Sequence, residues 1–242
     1  MMPRKSISSF ILRSIACSSL LLLVVAGACA QRSPHRTSKE EQERLRMKQI
    51  DDSIPWFRGF QVKADLVGVI EKMASSYGQY EAGVRFNLKD KYFPVVELGY
   101  GKADESNVVS GTSYKTSAPY GKIGVDFNIL KNKHDIYRFY VGLRYAYTNF
   151  KIDVDHAPLT DPVWGGQSPF SAHDVKAHYH WAELTAGIDA KIVGPLHLGW
   201  SARYKRRIAH DDGELGNVWY VPGFGKQGGS RITGTFDVML EF

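Results

Sequence analysis

Cysteine occurs at only two of the 242 positions, Cys17 and Cys29, and both lie in the first 30 residues. Arg4, Lys5 and Arg13 form a basic n-region there, followed by an apolar run from Ser18 to Ala26 that is too short to span a bilayer. Ala28-Cys29-Ala30 ahead of Gln31 has the small-x-small form of a cleavage site. The pattern predicts a secretory signal peptide over 1–30, cleaved after Ala30. The 212 residues that follow then have no thiol, which excludes a disulfide framework, a thiolate nucleophile and a Cys-ligated metal. A second reading cleaves before Cys29 and lipidates it, although Ala26 stands where lipoprotein signals usually carry Leu.

A long hydrophobic run is missing too. No stretch after residue 30 approaches the ~20 apolar residues of a spanning helix. Charge of one sign is also scarce: removing 1–30, with three basic and no acidic residues, lowers the formal charge from +6 to +3. That small excess does not indicate nucleic acid as a partner. Aromatics are plentiful at 12%, and there are 23 glycines.

Ser38 and Glu41 have capping-box spacing and open a highly charged stretch, read as a short periplasmic helix over 39–51 within a charged N-terminal segment, 31–58. Leu45, Met47 and Ile50 make too thin an apolar stripe to anchor a core, leaving docking to a periplasmic partner as the functional alternative.

From Gly59 onward the pattern has period 2. Eight segments alternate, at 59–67, 79–88, 93–102, 119–129, 136–149, 177–191, 196–206 and 230–242. The fifth sets Tyr137, Phe139, Val141, Leu143, Tyr145 and Tyr147 against Arg138, Gly142, Arg144 and Thr148. Connections between the segments alternate long and short, with 68–78, 103–118, 150–176 and 207–229 long. A membrane barrel sorts its loops in this way, and a soluble lipocalin-like barrel has no reason to. The expected fold is all-β, an eight-stranded antiparallel up-and-down transmembrane β-barrel over 59–242.

The polar face is then the lumen. Its cations are Lys63, Arg85, Lys122, Arg138, Arg144, Lys191, Arg203, Lys205 and Arg231, and its carboxylates are Asp65, Glu81, Glu97, Asp126, Glu183, Asp189, Asp237 and Glu241. Eight strands leave an interior that side chains can fill, so these charges are expected to pair across it and close the pore.

Other candidates carry less. Gly223-Phe-Gly225-Lys-Gln-Gly228 has the G-x-G-x-x-G form but opens no helix, and a glycine-rich loop accounts for it. His178 and His180 share an outward face near His173 and Asp174 and suit a headgroup-level girdle better than a metal site. Asp153, Asp155 and Asp161 lack EF-hand spacing. With Ser168 or Ser171, either histidine could serve a lipid acyl hydrolase or transferase, the enzymatic alternative to a barrel without chemistry. No cofactor is expected. Trp164, Phe170, Trp219, Tyr220 and Phe224 lie on the two longest loops and are expected either to recognise a partner or to cap the barrel mouth.

These features together resemble the small eight-stranded outer-membrane barrels of OmpA-like or PorT-like architecture. The last strand, with Phe236, Val238, Leu240 and Phe242 on one face, resembles the signal that barrel-insertion machinery reads. The resemblance implies a bacterial outer-membrane location, contact with outer-membrane lipid and lipopolysaccharide, and, in a PorT-like protein, an accessory part with an envelope protein complex in secretion or assembly. No C-terminal peptidoglycan-binding domain follows the barrel, so cell-wall tethering is not implied.

Overall fold

The computed structural model describes residues 38–107, 111–160, 163 and 165–242. The expected signal peptide, Asp161 and Trp164 lie outside them. The chain divides into two units, one ending at Ser53 and one running from Ile54 to Phe242. In the first, helix α1 (Ser38–Ser53) carries Glu40 and Glu41 in its first turn, where negative charge suits the helix dipole. Of its few apolar side chains, Leu45 and Ile50 are exposed and Met47 is half-buried.

The second unit is a closed barrel of eight strands, each antiparallel to its neighbours. In chain order the elements are β1 (Phe57–Asp65), α2 (Leu66–Ala74), β2 (Tyr77–Leu88), β3 (Tyr92–Asn107), β4 (Thr112–Asn128), β5 (Tyr137–Thr160), β6 (Gln167–Val193), β7 (Leu196–Asp211), β8 (Tyr220–Val221), β9 (Gly225–Lys226) and β10 (Ser230–Glu241). β10 pairs with β1 to close the ring, while β8 and β9 form a separate small hairpin. The outward residues of the ring are apolar and exposed. Leu98, Ile123, Leu143, Leu184 and Ile188 stand at mid-strand, Tyr92, Phe127 and Tyr137 towards the short turns, and Tyr80, Tyr100, Tyr147 and Tyr204 towards the other end. This is the belt-and-girdle surface of a transmembrane barrel.

Two of the expected loops are largely strand. Residues 103–107 and 112–118 extend β3 and β4, and 150–160 and 167–176 extend β5 and β6. Period 2 persists there but its polarity inverts. Tyr114, Ala118, Phe150 and Ile152 face inward and are buried, whereas Lys115, Ser117, Lys151 and Asp153 face away. A wall that has left the lipid around a dry interior reads as loop when apolar outward residues are the criterion. Residues 66–74 of the expected 68–78 loop are helical.

Candidate functional site

The lumen has two layers. In the half nearer the short turns, seven of the nine expected cations are buried with carboxylates. Lys63 and Glu97 are in direct contact. Arg144 reaches Glu97 at 3.2 Å and Asp126 at 3.1 Å, and donates to Thr185. Arg85 lies between Asp126 (3.4 Å) and Asp189 (3.1 Å), its guanidinium over the rings of Phe93 and Tyr140. Lys122 sits 2.9 Å from Glu81 and 3.0 Å from Glu183, and Arg203 is 2.6 Å from Glu81. Towards the turns, Arg138 reaches Glu241 at 3.0 Å. His197 has a carboxylate at each ring nitrogen, Asp189 at 3.0 Å and Glu241 at 2.7 Å.

The same strands place the other expected lumen charges differently. Lys191 is exposed, since it lies at the open short-turn mouth of the lumen, beside Arg138 and Glu241. Arg231 is half-buried at the opposite mouth, its guanidinium beside Gly225. Asp65 and Asp237 are buried and stand opposite each other in the β1–β10 ladder. Among the described residues neither has a cation at ion-pair distance. Asp65 instead accepts from backbone N–H groups.

The other half of the lumen is apolar, and part of its filling comes from the β7–β10 connection. Val218, Tyr220, Val221 and Phe224 fold inward and pack on Tyr114, Tyr120, Phe150, Ile152, Tyr179 and Trp181. The rings expected either to recognise a partner or to cap the barrel mouth are thus placed differently from one another. Tyr220 and Phe224 are 2% and 0% exposed, and Trp219 packs edge-on to Tyr77 and Tyr114. Phe170 is exposed on β6. The fold of the connection depends on Gly223, at φ 82°, where a Cβ would run into the Tyr120 ring. Tyr114 Oη donates to the Tyr220 carbonyl at 2.8 Å and Tyr220 Oη to that of Gly78 at 3.3 Å. Burial pushes the Tyr220 phenol above its ordinary value of 10.0. The glycine-rich stretch 223–228 is thus the turn and second strand of an inserted hairpin.

The layers meet at polar contacts. Tyr120 Oη donates to Glu81 at 2.8 Å, Trp181 Nε1 to Glu183 at 2.7 Å, and Lys205 Nζ to the carbonyl of Gly223 at 2.7 Å. Tyr120, Tyr140, Trp181 and His197 were outside the expected charge set although their strand parity points them inward. That set counted formal charge alone.

Outside the lumen, His180 Nδ1 is 2.6 Å from Tyr145 Oη and its ring packs on Tyr147, an outward girdle position. His173 lies 3.2 Å from Asp155, with both side chains exposed. Among the described residues no group of three His, Cys, Asp or Glu is arranged to hold a metal ion. Phe236, Val238, Leu240 and Phe242 alternate on the outward face of β10 and just beyond it. The Phe242 ring stacks on Phe60 at 5.5 Å, and the two residues exchange backbone hydrogen bonds of 2.9 and 3.0 Å.

Among curated proteins no sequence matches the chain. Solved structures similar to it include Neisserial surface protein A (NspA), at 15% identity and a TM-score of 0.42 over 77% of this chain and 99% of that one. A major outer membrane protein from Thermus thermophilus is similar at 13% identity and a TM-score of 0.43, over 76% and 98% of the two chains. Likenesses this distant say nothing about function. A family model described as a domain of unknown function, DUF6048, matches residues 11–241, and the chain belongs to that family.

Proposed function

We propose that this is an integral barrel of the bacterial outer membrane, without chemistry of its own, that keeps its lumen closed and presents the extensions of β5 and β6 to an envelope partner. An accessory part in envelope assembly or secretion follows from that reading. The observation that carries it is the layer of buried, mutually paired charges across the lumen, backed by the inserted hairpin. A channel needs a continuous wet path, and here side chains take its place. The apolar outward belt supports insertion in lipid, and a cleaved signal over 1–30 would supply export. The outward residues of β10 are the part that insertion machinery would read.

The lipid-enzyme alternative gains nothing from the geometry. Ser171 and His178 lie on the same strand, β6, seven residues apart, on the order of 20 Å at the rise of a β-strand. A nucleophile and its base need hydrogen-bond contact.

Two measurements test the proposal. Planar-bilayer recordings of the purified monomer are expected to show no steady conductance, and a stable channel would overturn the closed lumen. Replacing 153–173 by a short Gly-Ser turn is expected to leave a barrel that migrates faster unboiled than boiled on SDS gels but loses its envelope phenotype. Full complementation by that variant would overturn the recognition role of the β5–β6 extension.

A further inference from the structure

The short turns enclose a polar vestibule outside the charged layer. Its cavity of about 420 Å³ falls within the range of roughly 300–1,000 Å³ in which small-molecule sites lie. Arg138 and Glu241, paired at 3.0 Å, stand at its floor, and the filled lumen behind them makes it blind.

The strand ends bring charges of both signs to this mouth for local reasons. The β1–β2 register steps from Phe57↔Leu88 to Gly59↔Asn87, so Arg58 is an extra residue, a bulge that re-aims its side chain. Gly59 permits the bend: its φ is 127°, and a Cβ there would lie 1.9 Å from the Phe242 carbonyl oxygen. Elsewhere on the rim the β5–β6 ladder runs one step past Tyr137, where Lys191 N donates to the Ile136 carbonyl at 3.1 Å. That step brings Lys191 and Asp135 to neighbouring places on the rim.

Several of the charges around the cavity are already committed. Glu241 accepts from Arg138 and, at 3.2 Å, from Asn87, and lies 2.7 Å from His197. Asp90 is held by Arg58, Asn87 and His134. Other groups keep capacity. Arg58 gives Asp90 one nitrogen, Nη1, and its side chain is 40% exposed. Lys191 and Asp135 are exposed and line the cavity, and among the described residues neither has an ion pair. The one hydrogen bond of the Asp135 carboxylate among those residues comes from the N–H of adjacent Ile136, at 2.7 Å. A simple anion drawn to Arg58 and Lys191 would meet Asp135, and a simple cation drawn to Asp135 would meet Arg58 and Lys191. A ligand that carries both charges satisfies all of them.

We propose that the short-turn vestibule binds a small zwitterion of the amino-acid type, a carboxylate and an ammonium on one short stem. Arg58 and Lys191 take the carboxylate, and Asp135 takes the ammonium. One exposed ion pair contributes little, but the second end of a ligand already held by its first binds at a high effective concentration. The site rests on the outer-membrane reading only for its compartment, the periplasm, which the short turns then face. A free amino acid and the lysine end of a peptide share this chemistry and differ in the spacing of the charges.

Equilibrium dialysis of labelled compounds against the purified full chain in detergent, with empty micelles as the blank, tests the site. The probes are alanine, with adjacent charges, and Nα-acetyl-lysine, with a side chain between them; propionate and butylamine carry one charge each. At least one zwitterion is expected to bind about tenfold tighter than either control, a difference of ~1.4 kcal/mol. Preference for alanine identifies a free amino acid as the ligand, and preference for Nα-acetyl-lysine a peptide end. Lys191→Gln and Asp135→Asn, both at exposed positions, should each remove most of that preference. Asp135→Asn should leave propionate binding undiminished, a split that loss of the fold would not produce, and faster migration of unboiled samples on SDS gels confirms the barrel. Zwitterions held no tighter than propionate or butylamine overturn the site, and so does a preference that survives both variants. A chain that binds the zwitterion but stays soluble without detergent would uphold the site and overturn the outer-membrane reading, so the two fail separately.

Discussion

The two halves of the lumen solve one problem by opposite means. Near the short turns the strands fill the interior themselves, with charges such as Arg144, Glu97 and Asp126 that leave water only because each finds a partner. Towards the loop end the strands supply Ala146, Phe150, Ile152 and Ala177, and the chain returns after β7 to add Val218, Tyr220, Val221 and Phe224. The first filling depends on pairing: a buried ion pair contributes little net stability, but half of one is costly. The second depends on apolar area and tolerates adjustment, because a connection can shift where a strand cannot. Each half therefore answers a different substitution.

The sharpest way to separate them is to remove one member of the charged layer. Arg144→Ala leaves Glu97 and Asp126 each short of a cation and the Thr185 hydroxyl without its donor. The expected loss is about 3–5 kcal/mol, measured from urea unfolding midpoints in detergent. A midpoint equal to that of the wild type would mean that the pairs are not desolvated as the burial implies. In the apolar layer, Phe224→Ala removes a side chain with no exposed surface. The expected loss is roughly 3 kcal/mol, the low end for a buried Phe, because the hairpin can settle into the space. A loss exceeding that of Arg144→Ala would reverse the comparison and make the inserted hairpin the stiffer half.

The barrel was legible in the sequence because period 2 survives every environment along a strand. Inward and outward sets could be written down from Tyr137 to Thr148 without a structure. The environment of each face was legible only while the outside was lipid. Where β4 and β5 rise clear of it, Lys115 and Lys151 take the outward positions and Tyr114 and Ile152 the inward ones, so the same period belonged to an inverted pattern. Tyr220 and Phe224 left two readings open for a related reason: a ring on a long connection looks identical in sequence whether it meets a partner or turns back into its own barrel. α2 was hidden by being short, nine residues with a glycine at its third position, and by starting at a capping Asp that parity had assigned to the lumen.

The smallest expected effect lies outside the membrane, at the turn that joins β2 to β3. Lys89 and Asp90 adopt φ of 55° and 54° in a tight connection, and the Asp90 side chain ties that turn to its neighbours. Asn87 Nδ2 donates to it at 2.7 Å, His134 Nδ1 lies 2.8 Å away, and Arg58 is in direct contact. Burial by itself would push the Asp90 carboxyl up, but the hydrogen bonds with His134 and Asn87 and the Arg58 charge outweigh it and hold the group below its ordinary value of 3.8. A carboxylate depressed by folding contributes stability above its unfolded pKa and loses it as pH falls through the folded one. Asp90→Asn keeps the turn's size and removes the charge, so it is expected to cost about 1–2 kcal/mol at neutral pH. That difference should hold down to about pH 4 and shrink at lower pH as the wild-type group protonates. Unfolding midpoints of both proteins between neutral pH and about pH 2.5 check this. A gap that stays constant over the whole range would mean that the side chain's shape, and not its charge, holds the turn, and the short-turn end would then owe less to electrostatics than the charged layer above it.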